Sequence, residues 1–504
     1  MQSLINPLSY LQEIGCVIAT ETSPTTTKID GIIKNQDIQI VRGEILEIPY
    51  SDKEIMIVIV REIHKSNNYF SNADVLKEQS LLGRNNTNLF PIDEWATTFL
   101  YLAPLGVFTE NGIKRVQIPV SPGASIYKAR WEILKIFFGF SSQHSGIHLG
   151  NLIAMKTPVY IDLSRLFRKH LAVLAISGAG KSYTVAILIE EILKRSKEIG
   201  RLPVIIIDPH GEYTYLMKEY QNNFSIKSII TVYSGNFFSI ASQNLTAWSI
   251  REFAPEISSV QIRELDRIIT QLKKTNSLNS FNDIISEVEI SPTLNNRTRE
   301  SLLGWLDMLS NFHIFKSTDF PLIKDLLSPG QISILDLSGI HSYRKKQVIC
   351  AHIARRSFEL RRTNQVSPYL LIIEEAHQFC PEQETSIAKS IIETIAREGR
   401  KFFASLCLIS QRPVKLSSTA LSQCNSHLIM KVKNPYDLDY LGRLSEGIDK
   451  DTLRLIPDLE TGEAMLVGEA VNFPVLLKIR QKMMSESNFD KQSIIEELNA
   501  FESK

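Results

Sequence analysis

The sequence predicts an α/β protein: a parallel sheet, a small β-barrel near the N-terminus and an inserted helical bundle. Three observations support this fold class. Several apolar runs end abruptly in polar residues, short β-rich segments fill the first part of the chain, and helical periodicity takes over after residue 245. Continuous apolar runs are typical of strands that a parallel sheet buries on both faces.

The most informative run covers residues 170–193, where an apolar strand leads through SGAGKS into a helical pattern. The small residues at 177–180 let backbone N–H groups point at an anion, and the helix adds the positive end of its dipole. In such a P-loop, Lys181 reaches the β- and γ-phosphates and the Ser182 hydroxyl holds Mg²⁺. Ala175 replaces the first glycine of the pattern, which the turn tolerates if φ stays negative. The predicted ATP contacts are Gly178, Ala179, Gly180, Lys181, Ser182 and Tyr183.

A second apolar run ends in the adjacent acids Glu374 and Glu375. Ligands of open α/β sheets bind at the carboxyl ends of the strands. Because neighbouring side chains on a strand point to opposite faces, we predict different tasks for these two carboxylates. Glu374 is assigned to the Mg²⁺ shell through water, and Glu375 to polarising the attacking water. Asp336, which ends another strand, competes for the acidic role, and a solvated strand end is the alternative interpretation.

Two further strand ends carry polar side chains. Residues 204–207 stop at Asp208, which we predict as a metal ligand, before a turn that Pro209 and Gly211 impose. The strand over residues 406–409 leads to Gln411, which can donate to the γ-phosphate or orient the water. A structural amide that caps the next turn is the alternative for Gln411.

The segments SGAGKS, IIIDPHGEY, LLIIEEAHQF, AREGRK and LISQRP occur in this order with helical segments between them. In this the chain resembles the HerA group of the HerA/FtsK hexameric DNA translocases over nearly its whole length. The resemblance implies a RecA-like P-loop ATPase core, with ATP and Mg²⁺ as cofactors. It further implies a homo-hexameric ring that moves double-stranded DNA and works with a NurA-type nuclease in the resection of DNA ends.

The same resemblance assigns a cation that acts on the neighbouring subunit. Arg400 matches the arginine-finger position of the family, and Arg397 is the second candidate. Gly399 is expected to end the preceding helix and to project the residues after it. Such a finger neutralises charge that develops on the γ-phosphoryl group. A helix-terminal arginine that satisfies the helix dipole is the alternative.

Three residues that flank the core are carried over from the family as nucleotide contacts. Lys169 stands where relatives have an arginine, and a lysine there keeps the charge but loses the bidentate geometry. Lys478 and Ile479 occupy the place where the C-terminal segment of the family approaches the nucleotide.

The predicted domains are a β-barrel over 1–120, ATPase core over 121–245 and 326–480, a helical bundle over 246–325, and a helical tail over 481–504. The barrel resembles the HAS-barrel that begins HerA-type proteins. Its predicted strands lie at 15–19, 38–41, 45–48, 55–60 and 116–119. The tail carries a one-sided apolar stripe that can brace a neighbouring subunit or pack on its own core.

Charge and composition limit the kind of DNA contact. The formal net charge of +1 argues against a surface that coats DNA, but a few basic loops can supply the field inside a channel. The candidate loops contain Arg344, Lys345, Lys346, Arg412 and Lys415. Solvated surface charge is the alternative for each of them.

The cysteines and the hydropathy pattern predict a cytoplasmic protein without a membrane partner. The five cysteines include no C-x-x-C pair, so reduced buried thiols are expected. We expect no signal peptide, and the sequence contains no uncharged apolar run of about 18 residues. Two other functions stay open: a DNA-pumping ATPase of the conjugation or viral packaging type, and a P-loop switch ATPase that binds only protein.

Overall fold

The computed structural model divides into two compact units. The described residues are 12–34, 38–51, 53–67, 96–220, 228–444, 448 and 450–483. The first unit consists of Met1–Gly146, Gly150–Ile161 and Val471–Lys478, and the second of Ile147–Leu149, Asp162–Ala470 and Ile479–Lys504. Residues 484–504, most of the predicted tail, lie outside the described residues.

The first unit contains an antiparallel barrel. Its strands, in sheet order, are Ile29–Ile33, Glu13–Ile18, Ser125–Lys128, Ile45–Ser51, Glu54–Ser66, Thr97–Thr109 and Gly112–Lys114. Strand Ile29–Ile33 also pairs with Thr97–Thr109, which closes six of these strands into a ring. Closure pairs the edges that an open sheet would expose, and the inward-facing side chains form an aliphatic core.

The barrel was predicted correctly as a class but not strand by strand. Residues 38–41 and 116–119 are described and form no strand, so these two predictions were wrong. Val41 and Ile118 face solvent, with exposed fractions of 49% and 66%, whereas Ile38, Ile40 and Val116 pack against the barrel core without joining a strand. The long strand Thr97–Thr109 was missed because Pro104 interrupts its apolar run. The register shifts beside this proline, since Leu105 is an extra residue between the pairs Val58–Pro104 and Ile57–Gly106. Strand Ser125–Lys128 belongs to the barrel sheet although it lies beyond residue 120. The short helix Trp131–Phe138 follows it.

The second unit is built on a mostly parallel sheet, as predicted. Eight of its strands, in sheet order, are Ile229–Ser234, Gln331–Asp336, Val204–Asp208, Tyr369–Ile373, Ala404–Ser410, Leu171–Leu174, Ser426–Ile429 and Glu463–Gly468. The first seven run parallel, and the last pairs antiparallel with its neighbour. Three more strands, Ile147–Leu152, Pro158–Ile161 and Val475–Ile479, lie where the sequence passes between the units. The strands that were predicted from apolar runs are confirmed.

Helices connect these parallel strands. They are Leu163–Phe167, Lys181–Leu193, Tyr215–Tyr220, Ile323–Leu326, Tyr343–Arg362, Lys389–Phe402, Ser418–Ser422, Pro435–Leu444 and Lys450–Leu453. Parallel strands require such crossovers, and all of their carboxyl ends therefore reach the same edge of the sheet. That edge carries the polar residues that were predicted as functional.

The segment predicted as a helical bundle forms four helices in sequence. They are Ala247–Phe253, Ser259–Lys274, Phe281–Ile290 and Asn296–Ser310. Ser258 and Gln261 form a reciprocal capping box at the start of the longest helix. Phe281 stacks on Phe315 with ring centroids 4.3 Å apart, which attaches the helices to the short strand Phe315–Lys316.

Candidate nucleotide site

The P-loop connects the central strand Leu171–Leu174 to the helix Lys181–Leu193, which we call the P-loop helix. Its first helical residue follows Gly180, which has φ of 96° and offers no side-chain cap. The first N–H groups of the helix therefore remain available to an anion. Gly178 has φ of 76°, and no atom of another residue lies within 4 Å of the place that a Cβ would take there. Ala175 is not among the described residues with positive φ, so its substitution for glycine costs the turn no strain.

Lys181 is buried against two carboxylates. Its Nζ lies 2.6 Å from Oε1 of Glu374 and 2.8 Å from Oε1 of Glu375. Burial disfavours the ammonium, but the two carboxylates outweigh that cost and raise the pKa of Lys181. Burial also raises the pKa of Glu374 to about 7, despite the nearby ammonium. This three-residue ion cluster therefore carries one more acid than base.

The two acids do not point to opposite faces, so the reason given for separating their tasks was wrong. The strand ends at Ile373, and Glu375 adopts the left-handed conformation with φ of 48° and ψ of 47°. This turn brings its carboxylate back toward the same ammonium that Glu374 contacts. A left-handed non-glycine residue is uncommon and concentrates at functional sites. The assignment of water activation to Glu375 remains a prediction.

Glu375 is held by groups from the neighbouring strand end. The Gln411 side-chain amide donates to Oε1 of Glu375. On the other side, Nδ1 of His377 lies 3.2 Å from Oε2 of Glu375 and 3.2 Å from Oγ of Ser410. Burial lowers the pKa of His377. Gln411 was predicted near the reacting water, whereas His377 was missed although it stands in the same EEAH segment.

The loop after strand Val204–Asp208 supplies two further polar groups. The Ser182 hydroxyl donates to Oε2 of Glu212, and the Tyr213 hydroxyl donates to Oε2 of Glu374 at 2.7 Å. Asp208, predicted as a metal ligand, instead accepts hydrogen bonds at 2.8–3.3 Å from four backbone N–H groups of residues 210–213. Its carboxylate thereby shapes the loop that presents Glu212 to the P-loop. Glu212 and Tyr213 were missed, although the segment DPHGEY contains both.

Asp336, the competing acid, is engaged in its own turn. Its Oδ1 accepts from the backbone N–H of Ser338 at 2.9 Å and from the Ser338 hydroxyl at 2.6 Å. Glu374 and Glu375, by contrast, both contact the P-loop lysine. This geometry favours the paired acids over Asp336.

The donor set fits a nucleotide with Mg²⁺. Hydroxyl and carboxylate oxygens of Ser182, Glu212 and Glu374 surround the start of the P-loop helix, and oxygen is the ligand that Mg²⁺ prefers. Within the part of the chain that the structure describes, no group of three or more acids, histidines or cysteines is arranged as a ready metal site. A magnesium ion would therefore depend on phosphate oxygens and water as well, as it does in most NTP sites.

The three residues carried over from the family as nucleotide contacts differ in their relation to the P-loop. Lys169 forms an ion pair with Glu469. The backbone N–H of Ile479 donates to Gly462 at 2.8 Å, and the N–H of Gly462 donates to Ala179 of the P-loop at 3.3 Å. Ile479 therefore reaches the P-loop through one glycine. Lys478 is exposed.

Lys482 contacts the P-loop helix where the resemblance had suggested Lys478. Its backbone N–H donates to the Tyr183 hydroxyl at 2.8 Å, and its Nζ lies 4.9 Å from the Tyr183 ring centroid. The Nζ also donates to the Tyr215 hydroxyl at 2.6 Å. A cation held by two aromatic rings is a stable attachment, so this segment is fixed beside the start of the helix.

The opposite end of the P-loop helix holds a second ion cluster. Nη2 of Arg480 lies 2.7 Å from Oε2 of Glu190 and 2.9 Å from Oε1 of Glu191. Nε of Arg480 donates to the His148 carbonyl at 3.0 Å. Glu190 accepts from the Tyr220 hydroxyl, and all side chains of this cluster are largely buried. Sequence reasoning missed it because its members lie far apart in the chain.

The helix with the predicted arginine finger does not break at Gly399. It runs from Lys389 to Phe402, and Phe403 ends it in the left-handed conformation. Gly399 is buried, and a Cβ there would lie 2.3 Å from the Ala404 carbonyl oxygen. The glycine therefore permits close packing of helix on strand. Arg397 and Arg400 lie on this helix and are exposed.

The basic residues predicted to contact DNA fall into two groups. Arg344, Lys345 and Lys346 lie in the first turn of helix Tyr343–Arg362, so the prediction of a loop there was wrong. Arg344 pairs with Glu256 at 2.7 Å. Lys346 donates to the Pro209 carbonyl at 2.7 Å. Arg412 and Lys415 flank a short turn after Gln411, and both are exposed.

The cysteines and helices add two observations. The residues Cys16, Cys350, Cys380, Cys407 and Cys424 are free thiols, and all but the first are buried. Among the residues that the structure describes, none of the helices combines the length and apolar composition that a membrane crossing requires.

Comparison with known proteins gives one consistent group. The family described as the central domain of the helicase HerA matches residues 147–357. A DNA double-strand break repair helicase HerA of Pyrococcus furiosus is 29% identical over 436 residues, which cover 74% of this chain and 76% of the relative. A protein of the same description from Sulfolobus acidocaldarius is 30% identical over 66% of this chain and 69% of the relative. The solved structure of VirB4 of Thermoanaerobacter pseudethanolicus shares the fold, with a TM-score of 0.53 and 14% identity over 68% of this chain and 98% of that chain.

Proposed function

Because this chain belongs to the HerA helicase family, we propose that it hydrolyses ATP to move along double-stranded DNA during the repair of double-strand breaks. The observation that carries this proposal is the buried contact of the P-loop lysine with two carboxylates at the sheet edge. Lys181 and Glu375 come from strands that are separated by a single strand, and their side chains meet at 2.8 Å. A phosphate-binding cation beside a potential general base is the arrangement that phosphoryl transfer to water requires.

The ion cluster suggests how nucleotide binding starts the reaction. Lys181 neutralises Glu374 and Glu375 until a triphosphate offers its ammonium a stronger counter-ion. Transfer of the lysine to the phosphates leaves Glu375 with Gln411 and His377, and the lone pair that Lys181 vacates on Oε1 can then accept a proton from water. Mg²⁺, held by Ser182 with Glu212 and Glu374, would neutralise phosphate charge. We place Glu212 in this role ahead of Asp208, because Asp208 already accepts four N–H groups.

We further propose that the active form is a homo-hexameric ring. Arg400 is exposed at the end of a rigid helix and can reach the nucleotide site of an adjacent subunit. An arginine in that position contributes about 10³- to 10⁵-fold to the rate in related phosphoryl transfers. The family resemblance supports the ring and a NurA-type nuclease as its partner.

The DNA contact is proposed at the turn that follows Gln411. Arg412 and Lys415 are exposed there, and the first turn of helix Pro435–Leu444 presents Tyr436 with 79% of its surface exposed. A hydrogen bond of 3.2 Å from the Val414 backbone N–H to Asp437 joins the turn to this helix. Cations beside an exposed aromatic ring suit a nucleic acid, and Gln411 connects this surface to the carboxylate that would activate water.

One pair of measurements tests the function. ATP hydrolysis is followed with and without linear duplex DNA while light scattering after size exclusion gives the mass of the particle. We expect hydrolysis that DNA stimulates in a particle of six subunits. Hydrolysis without a response to DNA would favour a protein-binding switch, and a monomer with full DNA-stimulated activity would contradict the ring.

A mixing experiment tests the composite site. We expect the variants Arg400→Ala and Glu375→Gln each to lose most of their hydrolysis but to keep nucleotide binding. Mixed rings contain some interfaces with an intact finger and an intact base, so activity should return as the two are combined. Activity that stays at background at every mixing ratio, in rings that demonstrably exchange subunits, would count against Arg400.

A further inference from the structure

His377 contacts the carboxylate that is proposed to activate water. It follows Glu375 by two residues in the short turn Ala376–Gln378, and the left-handed conformation of Glu375 folds this turn back on itself. Nδ1 of the imidazole consequently lies 3.2 Å from Oε2 of the Glu375 carboxylate. The same nitrogen lies 3.2 Å from Oγ of Ser410, at the end of the adjacent strand.

Nδ1 of His377 has two candidate partners. It forms a hydrogen bond with Oγ of Ser410, whereas Oε2 of Glu375 lies at the same distance, is buried and accepts no hydrogen bond from the described residues. An ionised carboxylate oxygen only accepts hydrogen bonds, so the tautomer that carries hydrogen on Nδ1 is the one that can donate to Oε2. Because a buried acceptor without a donor is costly, a small rotation of the carboxylate toward Nδ1–H would form a hydrogen bond to an ionised acceptor, which is among the stronger ones in proteins.

The two oxygens of Glu375 have separate partners. Oε1 contacts Lys181 and the amide of Gln411, whereas Oε2 faces His377. When a nucleotide draws Lys181 away, Oε1 keeps only Gln411. The orientation of the carboxylate plane then depends on one contact at each oxygen, and the contact at Oε2 is the imidazole.

We propose that His377 is a positioning residue that holds the Glu375 carboxylate in its water-activating orientation once Lys181 has moved to the phosphates. This inference rests on the proposed ATPase activity. Misplacing a reacting group by about 1 Å can cost on the order of 10²-fold in rate. Binding of ATP depends on the P-loop and should not change.

Three substitutions at one position test the geometry. His377→Leu removes the donor. His377→Asn places an amide N–H on the same Cγ atom, close to the position of Nδ1, whereas His377→Gln extends its amide by one carbon. We expect kcat of the Leu variant to fall about 10- to 100-fold with KM for ATP within about two-fold. The Asn variant should recover most of the rate, and the Gln variant should not.

A double-variant cycle separates positioning from general damage. In a Glu375→Gln background, the residual hydrolysis is measured in single-turnover reactions, and His377→Leu should not lower this residual rate further, because the group that it positions has gone. The inference is overturned by wild-type kcat in the Leu variant, by an Asn variant as impaired as Leu, by a Gln variant that recovers as much as Asn, or by a further loss in the Glu375→Gln background. Thermal unfolding of each full-length variant verifies that it is folded.

The wild type and Lys181→Ala give an independent reference for the activity itself. Hydrolysis by the wild type that Lys181→Ala abolishes establishes the ATPase whatever happens at position 377. A wild type that binds ATP but never hydrolyses it, with or without duplex DNA, would overturn the proposed function and this inference with it.

Discussion

The two ends of the P-loop helix hold ion clusters that are built on opposite principles. At its N-terminus, Lys181 places a positive charge at the positive end of the helix dipole, and at its C-terminus Glu190 and Glu191 place negative charges at the negative end. Both arrangements oppose the dipole, and both are compensated from elsewhere in the chain. Glu374 and Glu375 compensate the first end, and Arg480 the second.

The difference lies in how firmly the compensating groups are held. The guanidinium group of Arg480 is planar and carries its donors in fixed directions. Its Nε, Nη1 and Nη2 all donate to carboxylate or carbonyl oxygens. Lys181 is a point charge on a flexible stem, shared between two carboxylates. An incoming anion can draw the lysine ammonium away from the two carboxylates, whereas the arginine is fixed by its several hydrogen bonds. We therefore call the N-terminal end of the helix, with its cluster around Lys181, the exchangeable end, and the C-terminal end, with its cluster around Arg480, the permanent end.

The largest effect is expected when the exchangeable cation is removed. Lys181→Ala should lower ATP hydrolysis by at least about 10²- to 10³-fold, because the charge that follows the γ-phosphate is lost. In the wild type, ATP should raise the midpoint of thermal unfolding, and in the variant this shift should be reduced. Steady-state hydrolysis and thermal scans at fixed ATP concentration measure both. Near wild-type turnover would contradict the view that this end serves a ligand.

Removal of the permanent cation should act on stability instead. Arg480→Met leaves the buried Glu190 without its cation and Glu191 with Lys194 alone, and breaking a buried pair costs about 3 to 5 kcal/mol. Denaturant unfolding of the full chain measures the loss. Lys194→Met is the matched control, because its partially exposed pair with Glu191 should contribute less than about 1 kcal/mol. Equal losses in the two variants would remove the distinction between the ends.

The pH dependence of stability should identify the exchangeable end. Burial raises the pKa of Glu374 from 4.5 to about 7, so between these values the folded protein holds a proton that the unfolded chain has released. Stability therefore falls as pH rises through this window, by about 2 kcal/mol between pH 5.5 and pH 8. Glu374→Gln removes this contribution. The stability of this variant relative to wild type should accordingly be greater at pH 8 than at pH 5.5. A difference in unfolding free energy that does not change with pH would contradict the assignment.

The smallest effects compare two tyrosines that each donate to a buried carboxylate. Tyr213 contacts Glu374 at the exchangeable end, and Tyr220 contacts Glu190 at the permanent end. Each change to phenylalanine should cost about 1 to 3 kcal/mol, because a charged acceptor is left with one donor fewer. Only Tyr213→Phe should also alter the rate of ATP hydrolysis per folded molecule. An equal change of rate in both variants would mean that the two clusters are coupled.

The exchangeable end could be predicted because its signals are local. An apolar run that stops at an acid identifies a strand and its carboxyl end in one segment, and parallel strands bring such ends together. Glu212 and His377 were missed although they stand in the same segments, since the loops that aim them depend on tertiary contacts. The left-handed turn at Glu375 has no signal in the sequence.

The permanent end could not be predicted for a different reason. Arg480 and Glu191 are separated by 289 positions, and nothing near either residue indicates the other. The pattern also predicted a strand where none forms. Residues 38–41 alternate like a strand, yet they join no sheet and Val41 faces solvent. Pattern reasoning thus succeeds where burial is complete and contacts are local, and fails where either condition is absent.

The link from Ala179 through Gly462 to Ile479 has a consequence for the newly made protein. A ribosome adds about 5 to 20 residues per second, so the strand and helix of the P-loop emerge roughly 15 to 60 s before the segment that fastens them. Glu374 and Glu375 follow about two thirds of the way through that interval, and Arg480 only at its end. A nascent chain therefore completes its nucleotide site only after residue 480 has been made, and a chain that terminates before Glu374 lacks the groups required to turn over ATP.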